Sequence, residues 1–94
     1  MKTDPMEKDV LEDILERKGF IHLNVRKHGD HLVIYSTEDG EKVNRARLTK
    51  VTAQYYQIGM ADHRGRWEST PFRGTMEEMV TLLTTDFNFA LAPW

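Results

Sequence analysis

Asp62, His63 and Glu68 stand within a few residues of Ser69 and Thr70, the side-chain types that hydrolytic chemistry uses. A nucleophilic mechanism needs its base within hydrogen-bond reach of the hydroxyl. The turn that must carry His63 directs it away from the strand bearing Ser69 and Thr70. A small hydrolase or nuclease is therefore the weakest of the functions the residues suggest. His28 and His31 flank another turn and should face each other across a hairpin. Two imidazoles fall short of the three or four ligands of a protein zinc site, and His22 lies several residue pairs away. The six glycines are dispersed, without the clustering of a phosphate-binding loop. No catalytic residue, metal site or cofactor is expected.

A larger constellation comprises Tyr35, Arg45, Arg47, Tyr55, Trp67 and Arg73. Strand alternation would place these six on one outer sheet face. Aromatic and Arg side chains together are favoured at interaction hot spots, and they also stack on single-stranded bases. The plainer outcome is that the arginines lie over the aromatics of their own domain. A third group is the tail Phe87, Phe89, Leu91 and Trp94, too much apolar surface for a free segment. Its period of two suits a sixth strand, on its own sheet or on a partner's edge. The second option is preferred, because Asn88 and Ala90 offer a less apolar opposite side, and it makes a homodimer through these four residues.

The elements that must position these groups follow from periodicity. Met6, Val10, Leu11, Ile14 and Leu15 recur at helical spacing. Thr3 or Asp4 can cap that helix, Pro5 suits its first turn and Gly19 ends it. From Phe20 to Lys27 the pattern alternates, with Ile21, Leu23 and Val25 on one side. A two-residue Gly29-Asp30 turn of type II′ then pairs Val25 with Ile34 and Arg26 with Val33. Leu32, Ile34 and Ser36 form the inner set of the second strand, with Val33 and Tyr35 outside.

At Glu38-Asp39-Gly40 two turns compete. A two-residue Asp39-Gly40 turn sets Ile34 opposite Arg45 and aims a charge at the core. A three-residue loop keeps Arg45 and Arg47 on the outer face, and burial should select it. An unbroken strand from Val43 to Ala61 would run ~60 Å, so a break is expected near Thr49–Ala53. The last hairpin, through His63-Arg64-Gly65, pairs Ala61 with Trp67, Met60 with Glu68 and Ile58 with Thr70. Tyr56, Ile58, Met60 and Phe72 then face inward, and Tyr55, Ala61 and Trp67 outward. Gly59 leaves a space that the Trp67 indole should fill. Thr75 and Glu78 form a capping box for a second helix carrying Met76, Met79, Val80, Leu83 and Phe87.

At 94 residues one domain, 1–94, is expected, with one modest core. The absence of cysteine removes disulfides and thiolate chemistry and suits a reducing compartment. No apolar leader or membrane-length run is present, so a cytoplasmic location is expected. Residues 20–74 carry nine basic and six acidic side chains, whereas both flanking segments are net acidic. The net charge of −2 is unlike that of dedicated nucleic-acid domains.

The expected fold is α+β: an antiparallel sheet of about five strands in meander order, flanked by an N-terminal and a C-terminal helix. The expected function is a non-enzymatic interaction module, a small adaptor, inhibitor or accessory protein. It would bind a protein partner through the aromatic and Arg face or the apolar tail. Single-stranded nucleic-acid binding by the same face is the alternative.

Overall fold

Asp4 opens helix α1 (Pro5–Arg17) with a reciprocal cap. Its carboxylate accepts the Glu7 N–H, and the Glu7 carboxylate accepts the Asp4 N–H. Gly19, at φ +90°, closes the helix in the left-handed conformation. In this computed structural model residues 2–62 and 64–92 are described. The strands β1 (Asn24–His28), β2 (His31–Glu38), β3 (Glu41–Lys50), β4 (Tyr56–Ala61) and β5 (Trp67–Gly74) follow in order. They pair with their sequence neighbours in one antiparallel sheet, β1-β2-β3-β4-β5. Helix α2 (Met76–Thr85) starts on the expected Thr75–Glu78 capping box. This is the α+β meander that the periodicity predicts. No helix among the described residues is long and apolar enough to cross a membrane.

Both helices pack on the same side. Leu11, Ile14 and Leu15 of α1 and Met79, Val80 and Leu83 of α2 join one core with Val25, Leu32, Ile34, Ala46, Leu48, Tyr56 and Ile58. Burial of these side chains is the main driving force for the fold, at about 1.5–3 kcal/mol for each large one. A second device ties the α1 N-terminus to the sheet. Glu7 accepts hydrogen bonds from Lys50 Nζ at 2.9 Å and from the Tyr56 hydroxyl. Burial pushes the Glu7 carboxyl up, but those two donors and the Asp4 N–H outweigh it and hold its pKa below the ordinary value. Burial, and then the Glu7 carboxylate, raise the Tyr56 hydroxyl well above its ordinary pKa.

The first hairpin has the expected register, with Val25 opposite Ile34, Arg26 opposite Val33 and His28 opposite His31. Gly29 takes φ +59° at its turn. The break between β3 and β4 falls at residues 51–55, where the Thr52 hydroxyl accepts the N–H groups of Gln54 and Tyr55.

Three expectations are overturned. The β2–β3 turn has two residues, Asp39 at φ +51° and Gly40 at φ +82°, and it places Glu38 opposite Glu41. A bulge then absorbs Arg45, so Tyr35 pairs with Asn44 and Ile34 with Ala46. The bulge keeps Ala46 and Leu48 inside and turns Arg45 inward as well, where it is 1% exposed. Burial selects the register, but the extra residue, rather than a longer turn, accommodates the arginine.

The tail forms a 3-10 helix (Asn88–Leu91) instead of a sixth strand. Leu91 and Phe87 are tied to this chain's own core, whereas Phe89 stays exposed. Leu91 is 1% exposed within the core, and Phe87 packs against it. The period of two is not kept in burial: Ala90 and Leu91 are buried side by side, and Phe89 is exposed.

The β4–β5 pair departs from the expected register in one place. Ala61 meets Trp67 and Met60 meets Glu68, as expected. Beyond Gly59–Ser69 the register slips, so that Gln57 meets Arg73. Ile58 and Thr70 are therefore not ladder partners, although the Thr70 hydroxyl donates to the Ile58 carbonyl at 2.9 Å. Pro71 lies in this irregular stretch, where its missing N–H costs no ladder bond.

Candidate functional site

Alternation assigns the uncovered face of the sheet row by row. One row across the strands is Arg26, Val33, Arg47, Gly59 and Ser69. The next is His28, His31, Thr49, Gln57 and Arg73. Towards the other end lie Tyr35 with Asn44, Thr37 with Lys42, and Ala61 with Trp67. None of these outward residues is Asp or Glu, although acidic side chains outnumber basic ones in the chain, 15 to 13.

Four cations stand on this face, and each has a neutral companion. Arg26 donates to the Asn44 side-chain carbonyl at 3.0 Å. Arg73 Nε donates to that of Gln57 at 3.3 Å. The Lys42 ammonium lies 5.3 Å from the Tyr35 ring centroid. The Arg47 guanidinium lies 4.6 Å from the Trp67 centroid. Ion pairs between described residues lie elsewhere, among them Lys8–Asp9, Lys8–Glu12 and Arg17–Asp13 on α1, Lys50–Glu7 and Arg45–Glu38.

Local structure explains the Arg47–Trp67 stack. A Cβ on Gly59 would meet the Arg47 Cγ and Nε at 3.2 Å. Gly59 therefore makes room for the Arg47 stem, not for the indole as expected. Val33, between Arg26 and Arg47 in its row, is only 4% exposed. The stems of its two arginine neighbours shield it while their charged heads reach water. Burial lowers the Arg47 pKa from its ordinary value. His31 shares a 2.8 Å hydrogen bond between Nδ1 and the Thr49 hydroxyl. Burial, then the Arg47 charge and His28, lower the His31 pKa, against an opposing pull from Asp30.

Of the six residues expected on this face, Tyr35, Arg47 and Trp67 are half-buried on it and Arg73 is exposed at its β5 edge. Tyr55 is 47% exposed in the β3–β4 turn. With Arg73, Val51, Thr52, Gly74 and Glu78 it lines a groove of about 360 Å³ at that corner. Arg45 is the correction: it lies on the opposite side, with Nε donating to Ser36 at 3.0 Å. Its two terminal nitrogens reach the Ala92 carbonyl at 3.0 Å and the Glu38 carboxylate at 3.1 Å. Arg26, Lys42, Asn44 and Gln57 were missed in the sequence. Writing out the outward set of every strand would have found them, together with its lack of carboxylates.

Of the four tail residues, Leu91 is interior and Phe87 is half-buried beside Phe72, with ring centroids 5.4 Å apart. Phe89 is 64% exposed. Trp94 lies outside the described residues, as does His63 of the hydrolytic set. Asp62 and Thr70 of that set are engaged locally. One Asp62 carboxylate oxygen accepts the N–H groups of Arg64 and Arg66, and the Thr70 hydroxyl is bonded to Ile58.

No protein-family model, curated protein or solved structure matches this chain.

Proposed function

We propose that this chain is a non-enzymatic interaction module that binds another protein through the uncovered face of its sheet. One observation carries the reading: both helices pack on the opposite face, which leaves a surface of arginines and half-buried aromatics that no element of the described residues covers. Aromatic rings supply rigid contact area and arginines directional donors, the residue types favoured at interaction hot spots. The experiment uses the absence of native cysteine. Ser69→Cys, labelled with a bulky maleimide, obstructs the face, and labelled Glu16→Cys obstructs the helical side. A host protein identified by mass spectrometry should be captured by the unlabelled chain and by the Glu16 conjugate, and lost with the Ser69 conjugate. Equal capture by both conjugates would refute the reading.

Self-association through the tail is a second reading, favoured by exposed Phe89 edge-on to Phe87, with centroids 6.1 Å apart, beside partly exposed Phe72. It predicts a dimer by light scattering that Phe89→Ser converts to monomer.

A further inference from the structure

The charge pattern of the sheet face specifies a partner chemistry. We infer that the face takes an acidic segment of the partner protein, whose carboxylates complete Arg26, Arg47, Arg73 and Lys42. This rests on the reading of the face as a protein-binding surface.

In the interior, Arg45 and Lys50 each have a carboxylate of this chain. On the face, four cations are oriented by an amide or an aromatic ring and by no carboxylate of the described residues. Neutral partners fix the direction of a guanidinium without neutralising it. An incoming carboxylate then forms a charge-assisted hydrogen bond with less ordering cost. Five strands ~4.8 Å apart make a face about 20 Å across, which an extended segment of about six residues crosses.

A second copy of this chain is a poor occupant, because two such faces would confront cation with cation. A single-stranded nucleic acid fits less well for two reasons. Base stacking needs free ring faces in the middle of the sheet, whereas the central row is Val33, Arg47 and Gly59. The rings of Tyr35 and Trp67 each already carry a cation. Carboxylates also bound the cationic rows along the strands: Asp30 at one turn, and Asp39, Glu41 and Asp62 at the other end. A phosphate chain laid along the strands would meet them, so only a path across the strands is free of carboxylates.

The test titrates fluorescent peptides of alternating Glu and Ser, Gln and Ser, and Lys and Ser, and oligo(U) of matching length, into the 15N-labelled chain. The Glu-Ser peptide alone among the peptides should shift the amides of Arg26, Val33, Arg47, Thr49 and Gln57. Arg26→Gln and Arg73→Gln should each weaken it by about two- to fivefold, and the pair together by about tenfold. Both side chains are exposed, so the variants should fold as the parent does. Tighter binding of oligo(U) on the same amides would overturn the inference in favour of nucleic acid. Self-association that the Ser69 conjugate abolishes would overturn it in favour of a second copy. Absence of any Glu-Ser shift on the face would also overturn it. In that case, loss of the host protein with the Ser69 conjugate would still leave the face a docking surface, for a partner of other chemistry.

Discussion

Arg45 and Arg47 stand two positions apart on one strand and meet opposite surroundings. Arg45 points into the layer beneath the helices, where Ser36, Glu38 and the Ala92 carbonyl each accept a hydrogen bond from its guanidinium. Arg47 lies over Gly59 against Trp67, with no carboxylate of the described residues in an ion pair with it. The inward arginine is completed by the chain itself and ties the tail to the sheet. The outward one is positioned but not neutralised. A buried charge must find its partners within the fold, whereas a surface charge can be left for another molecule. The two faces of this sheet therefore differ in what they complete, structure on one side and contact on the other.

The largest expected contrast tests that division through apolar side chains. Ile58→Ala, on the inner face, should cost roughly 2–5 kcal/mol. Trp67→Ala, on the outer face, should cost about 1 kcal/mol, mostly its contact with Arg47. Urea unfolding measures both, and equal losses would make Trp67 a core residue and remove the contrast. Next come the arginines themselves. Arg45→Met leaves Ser36 and the Ala92 carbonyl short of a donor and should cost about 1–3 kcal/mol. Hydrogen exchange should also speed up at Ala90 and Ala92, because the tail loses its tie. Arg47→Met should cost under about 1 kcal/mol and leave tail exchange unchanged.

Acidity sharpens the comparison further. His31 on the outer face has a lowered pKa, so the unfolded chain binds its proton more readily than the folded one. Its contribution to stability is complete above about pH 6.5 and declines as pH falls from there through the lower folded value. Glu7, beneath the sheet, also has a lowered pKa, but there the charged form is the stabilised one. Its contribution is complete above about pH 4.3 and is lost as pH falls through the folded value. His31→Gln should flatten only the upper part of the stability profile, and Glu7→Gln only the lower. Urea midpoints across pH would show a single merged slope if the two groups shared one environment. The smallest effect concerns the histidine pair. His28 lowers the His31 pKa, so His28→Gln should move the His31 NMR titration slightly upward. An unmoved curve would mean that the two imidazoles do not face each other across the turn.

Local chemistry alone determined much of this molecule. The Thr75–Glu78 box starts α2, Gly19 ends α1, and the Gly29-Asp30 turn sets the first register. Each depends on residues a few positions apart, so short-range geometry suffices. The outer positions of Tyr35, Arg47 and Trp67 followed from alternation by two. The inward turn of Arg45 was illegible for a physical reason. A guanidinium in the interior is tolerated only where distant acceptors converge, and those acceptors lie at Ser36, Glu38 and Ala92. The slip that pairs Gln57 with Arg73 and the coil of Asn88–Leu91 are of the same kind, since each answers to packing across the domain rather than to its own neighbours. Local sequence determined where elements begin, end and alternate. Only the assembled tertiary structure decided which charge was enclosed and which was left facing outward, because desolvation is a property of the whole fold.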